Sequence, residues 1–168
     1  MLLAFTVLAS ISLKCQSTDE STIHRPENNF KLCIGGNASL ISLSYEKLEP
    51  LSKSVMLAIA GGIGYNKEFR LCLFGPCTEP LQKYITFPHS VTLNWGSRRS
   101  HLEFGLGGAI ITGKTNHHYL LCPSIGYRHH PLKPNKIGFQ VLGSYPITNP
   151  ESADFMFIPI GINVGVAF

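Results

Sequence analysis

FIPIGINVGVAF, residues Phe157 to Phe168, alternates without a break. Ile158, Ile160, Ile162, Val164, Val166 and Phe168 take the even positions. Pro159, Gly161, Asn163, Gly165 and Ala167 take the odd ones. A period of two is that of a β-strand, whose successive side chains point to opposite faces. The second face is the informative one. A strand on a soluble sheet sets Lys, Glu and Asp against its apolar row, whereas here the opposing residues are small or uncharged.

The same pattern recurs upstream. Ile41, Leu43 and Tyr45 alternate with Ser42, Ser44 and Glu46. Val55, Leu57, Ile59, Ile63 and Tyr65 share a face opposite Ala58, Ala60, Gly62 and Gly64. Val91, Leu93 and Trp95 alternate with Thr92, Asn94 and Gly96. Leu102, Phe104 and Leu106, running on towards Ile111, alternate with Glu103, Gly105 and Gly107. Tyr119, Leu121, Ile125 and Tyr127 oppose Ser124, Gly126 and Arg128. Ile137, Phe139, Val141 and Tyr145 oppose Gly138, Gln140 and Ser144. Small side chains suit the cramped interior of a narrow barrel. The bulky rows then point outward into lipid, the arrangement of outer-membrane barrels. Tyr45, Tyr65, Trp95, Tyr119, Tyr127 and Tyr145 lie at strand ends on the apolar face, where interfacial aromatic girdles are expected.

Seven segments are clear, near 38–48, 54–66, 85–97, 101–113, 119–129, 137–147 and 157–168. Closure of an antiparallel barrel with both termini at one end needs an even number. Phe30 to Ile34, turning at Gly35-Gly36-Asn37, is the natural eighth strand. The alternative is one long strand over 30–48, with the eighth drawn from Glu68 to Cys77. The expected fold is therefore all-β: a single antiparallel up-and-down transmembrane barrel of eight strands. With the C-terminus periplasmic, the links Glu49–Lys53, Ser97–Ser100 and Arg128–Lys136 are periplasmic turns. The links 67–84, 114–118 and 148–156 are extracellular.

The composition agrees. Of 168 residues, 44% are hydrophobic and only 14% charged, against about 25% charged in an ordinary soluble domain. No apolar run reaches the roughly 20 residues of a membrane-spanning helix. Sixteen glycines also argue against a helical protein. The net charge of +4 comes from residues lying mostly between the apolar segments, such as Arg98-Arg99, Lys133 and Lys136. There is no basic stripe with interleaved aromatics, so no nucleic-acid partner is expected.

Met1 to Leu13 (MLLAFTVLASISL) has the length and apolarity of a signal-peptide core. No Lys or Arg precedes it, which fits a start inside a longer signal. Lys14 before Cys15 disfavours a lipoprotein anchor. The expected organisation is a signal peptide over 1–15, a flexible leader over 16–29 and the barrel over 30–168.

The series GGNASLISLSYEKL, LAIAGGIGY, ITFPHSVTLNWG, HLEFGLGGAIITG, PSIGYRHHP and INVGVAF resembles small outer-membrane β-barrel proteins of Bacteroidota, most without an assigned activity. The similarity runs from about residue 30 to 168. It implies the fold and an outer-membrane location and supplies no catalytic residues. Phe168, with Val166, Val164 and Ile162 on its face, resembles the terminal signal read by the barrel assembly machinery. The implied partners are therefore that machinery, through the C-terminal strand, and outer-membrane lipid. The chain departs from the family in its weak signal start and in Cys72 and Cys77.

Cys72 and Cys77 flank LFGP in the longest link. Their spacing permits a disulfide in an exported chain, and geometry decides whether it forms. A metal would need more ligands than the nearby Glu68 and Glu79. Cys33 and Cys122 fall on small-residue faces and read as lumen-filling residues. His117-His118 and His129-His130 lie at opposite ends of one strand and read as turn residues. Glu46, Glu103 and Arg128 can meet in the lumen, either as a satisfied polar plug, the preferred reading, or as part of an ion path. Ser124 with His101 or His89 is a nucleophile–base pair without a supporting motif.

No cofactor motif is present and no ligand can be read. The expected function is a non-catalytic outer-membrane barrel with a structural, adhesive or accessory role. The alternatives are an outer-membrane lipid-modifying hydrolase or acyltransferase, and a soluble ligand-binding barrel with its apolar face inward.

Overall fold

The computed structural model describes residues 25–36, 39–67, 82–113, 118–147 and 157–168. Eight strands follow one another: β1 (Asn28–Ile34), β2 (Ile41–Pro50), β3 (Val55–Lys67), β4 (Lys83–Ser97), β5 (Ser100–Thr112), β6 (Tyr119–His129), β7 (Lys136–Ser144) and β8 (Ile160–Ala167). Each pairs antiparallel with the next, and β1 pairs antiparallel with β8, so the sheet closes into a barrel. Followed around the ladders, the pairing returns to β1 about ten residues from its start, a stagger that tilts the strands and fixes the bore.

The first strand is the short one. β1 pairs Asn28 to Ile34 with Lys47 to Ile41, and the chain turns at Gly35 and Gly36, with φ of 71° and 68°. These left-handed angles favour glycine. A single long strand over 30–48 is therefore not formed. Cys72 and Cys77 lie outside the described residues. The barrel also begins two residues before the expected boundary, taking Asn28 and Asn29 from the leader.

Burial follows the alternation. β2 reads exposed–buried without a break from Ile41 to Leu48, and β8 does so from Ile160 to Ala167. The large apolar rows point out and the small or polar rows point in, so the alternative with its apolar face inward is not the arrangement found. Far more large apolar side chains are exposed than buried. One phase differs from the expectation in β5: Ile110 is outward and Ile111 inward. The alternation itself is unbroken. It places Gly108 on the outer face and Ala109 on the inner one, and small residues on both faces hide the phase in the sequence.

Inside, three layers stack between the terminal end, where β1 begins and β8 ends, and the far end. At the far end Tyr84, Ala109, Ile111, Leu120 and Cys122 form an apolar cluster, with Phe157 packed against it. Polar and charged residues fill the middle. At the terminal end lie Leu48, Met56, His101 and His130, all buried.

Two adjacent glycines test which face is which. A Cβ on Gly62 would sit 2.3 Å from the Leu43 carbonyl oxygen, whereas a Cβ on Gly61 meets nothing within 4 Å. Gly61→Ala should change unfolding free energy by less than about 0.5 kcal/mol. Gly62→Ala should cost about 1–3 kcal/mol through overpacking against backbone. Urea unfolding of the refolded barrel measures both.

Candidate functional site

The alternation that turns Glu46, Glu103 and Arg128 inward also sets them at one height of the tilted barrel. The structure brings all three together. Arg128 grips Glu46 with two hydrogen bonds, Nη1 to Oε2 at 2.6 Å and Nη2 to Oε1 at 2.8 Å. Its Nε donates to Glu103 Oε2 at 3.0 Å. A planar guanidinium suits this role because its fork can serve two carboxylates at once.

The cluster is larger than the sequence reading proposed. Lys31 Nζ lies 2.6 Å from Glu46 Oε1, so two acids face two bases and the group is neutral. Gln140 donates to Glu103 Oε1 at 2.5 Å, and Asn163 donates to Gln140 Oε1 at 2.7 Å. Asn29 donates to Glu46 Oε2 at 3.3 Å. None of these residues is more than 6% exposed. Lys31 was missed because it lies on the short first strand, whose membership was itself open. Gln140 and Asn163 sit on faces already read as inward, and that was the available signal.

Above the cluster lies a small cavity lined by Ser42, Ser44, Ser90, Thr92, Ser124 and Cys33. Its size suits about one or two water molecules. With the charge cluster in the middle and the apolar cluster at the far end, the described residues fill the lumen and leave no continuous wide passage.

The terminal end is closed by the chain itself. The Leu48 N–H donates to the Glu27 carbonyl at 2.6 Å, and the backbones of Asn28 and Phe168 exchange hydrogen bonds at 3.1 and 2.8 Å. His130 Nε2 lies 3.1 Å from the Pro26 carbonyl. A carbonyl only accepts, so Nε2 carries the proton. Burial, joined by Arg128 and Arg25, pushes the His130 pKa down to about 4 against the opposing pull of that hydrogen bond. The imidazole is neutral at pH 7. Arg25 reaches His101 Nε2 at 3.5 Å and Met56 Sδ at 3.6 Å. Residues 25–27 thus lie across the mouth, and His130, read from the sequence as a turn residue, is a buried contact of that strap.

The remaining sequence candidates are dispersed. Ser124 faces the cavity, whereas His89 lies on the outer wall with Nδ1 3.2 Å from the Phe87 carbonyl and Nε2 3.0 Å from the Tyr119 hydroxyl. His101 contacts Arg25 at the terminal end. The structure therefore assembles no Ser124–His pair. Tyr119 reaches His89 by crossing Gly108, where a Cβ would sit 2.4 Å from the Tyr119 hydroxyl. Cys33 and Cys122 are unbonded, Cys122 buried and Cys33 partly so. Phe168, Val166 and Val164 all point outward, and Phe168 stacks on Phe30 with ring centroids 5.5 Å apart.

No protein-family model, curated protein or solved structure matches the chain.

Removing one partner of a buried ion pair leaves the others uncompensated, at about 3–5 kcal/mol. Arg128→Met should lower unfolding free energy by that amount. Glu103→Gln should cost less, because Arg128 keeps both bonds to Glu46. The double change Glu103→Gln, Arg128→Met, which leaves the Lys31–Glu46 pair balanced, should recover part of the Arg128→Met loss. Denaturant unfolding of the refolded proteins separates these cases.

Proposed function

We propose that the protein is an outer-membrane β-barrel with a structural, adhesive or accessory role, not a wide solute pore and not an enzyme. One observation carries this reading: the distribution of charge between the two faces of the wall. On the outer face, strand residues with basic or acidic side chains lie near the ends: Lys47, Glu49 and His129 at the terminal end, Lys67 and Lys83 at the far end. Between them His89 is the sole exception among the described strand residues, and both its nitrogens have partners. Glu46, Glu103, Arg128 and Lys31 are all inside.

Water would favour the reverse arrangement. Soluble monomers rarely expose a continuous apolar patch above a few hundred Å². A closed sheet satisfies its backbone within itself, which a hydrocarbon environment demands. Trp95 and Tyr127 towards one end, and Tyr65 and Tyr119 towards the other, fit interfacial girdles. The resemblance to Bacteroidota barrels and the apolar N-terminal run point to the same location. The termini then lie on the periplasmic side and the far end is extracellular.

Eight strands leave a bore that side chains fill, and the neutral cluster fills it here. That supports a wall-building or surface-displaying role, with recognition left to the far-end links, over transport. In a Gram-negative host, the mature chain should sediment with outer membranes, resist carbonate extraction and migrate faster on gels unheated than boiled. Recovery in the soluble periplasm, with no heat-dependent mobility, would refute the location.

A further inference from the structure

We propose that Lys67 and Lys83 form a binding site for the phosphate of a lipid headgroup in the leaflet at the far end of the barrel. The proposal rests on the outer-membrane reading and names a ligand for its surface.

β3 ends at Lys67 and β4 begins at Lys83, and the ladder sets the two directly opposite each other. Residues so placed have Cβ atoms about 4.5–5.5 Å apart. Both side chains point outward, because Tyr65 and Ile85, two residues along each strand, are outward and exposed. Like charges directly opposite on one face repel. Among the described residues no carboxylate pairs with either lysine, and the ion pairs of Lys31, Glu46, Glu103 and Arg128 all lie in the lumen. At the terminal end, by contrast, Lys47 has Glu49 two residues along on the same outward face.

The position defines the occupant. Tyr65 and Ile85 begin the apolar wall immediately below the lysines, so the two ammonium groups stand at its polar edge. Lysine stems can lie along apolar surface while their charged heads stay in the polar layer. The strand end is also held: the Lys67 N–H donates to Asn66 Oδ1 at 2.7 Å, and Asn66 is fully buried. An anion that bridges both heads removes their repulsion. A phosphate does so with several acceptor oxygens for six ammonium donors. At the edge of a lipid-facing wall, the phosphate within reach is that of a lipid headgroup.

The test uses the full chain, refolded in nonionic detergent, with lipid binding read by native mass spectrometry. Dioleoyl phosphatidic acid is the probe and dioleoylglycerol its phosphate-free match. The wild type should bind one phosphatidic acid at least about tenfold more tightly than the diacylglycerol, a difference within reach of a few charge-assisted contacts. Lys67→Gln with Lys83→Gln should abolish that preference. Lys133→Gln with Lys136→Gln, an equal loss of charge at the terminal end, should leave it unchanged. The site is refuted if the far-end variant binds like wild type or if the terminal-end variant loses as much. It is also refuted if millimolar inorganic phosphate displaces the lipid, which would make it a free-anion site. Heat-modifiable mobility and membrane sedimentation of each variant report on the location separately. A chain that sediments with membranes but binds without either lysine overturns this site and leaves the location standing. A chain soluble without detergent overturns both.

Discussion

Closure of β1 against β8 is the constraint on which everything else depends. It joins Asn29–Ile34 to Ala167–Ile162 and gives every strand two neighbours. A closed sheet has no edge to satisfy from outside, so its outer face can be wholly apolar. Closure with a stagger also fixes the bore. A narrow, tilted eight-strand bore sets Asn29, Glu46, Glu103, Arg128 and Gln140 at one height although they come from five strands. Inward charges at that height must neutralise one another, and Lys31, Glu46, Glu103 and Arg128 do.

The cluster and the wall are two consequences of one pattern. Charge kept off the middle of the outer face has to be tolerated inside, where each buried ion needs a partner. The fork of Arg128 lets one base serve two acids, and Lys31 completes the balance. Gln140 and Asn163 relay hydrogen bonds from β7 and β8, so the network stitches strands far apart in sequence. The strap of residues 25–27 then covers the mouth below it.

The legibility of the sequence divided along physical lines. Strand identity was readable wherever bulky and small residues alternate strictly, as from Ile160 to Ala167. The three central charges were readable because each interrupts a small-residue face. Phase was lost in β5, where Gly107, Gly108 and Ala109 carry no size contrast. Lys31 and Asn29 were unread because β1 is short and its pairing with β8 is the most non-local contact in the chain. The strap was unreadable for another reason. Arg25, Pro26 and Glu27 have no periodicity, and their place follows from partners, His130, Leu48 and His101, that only the closed barrel gathers.

In an outer-membrane barrel the odd positions of β4, from Ile85 to Trp95, face hydrocarbon. A nitroxide scan of these eleven residues in lipid vesicles tests it directly. Collision with oxygen, which concentrates in hydrocarbon, should oscillate with a period of two and peak at Ile85, Phe87, Val91, Leu93 and Trp95. Collision with a water-soluble nickel chelate should stay low at those positions. A nickel profile that peaks at the same residues would put the apolar face in water and rule out a membrane-spanning barrel.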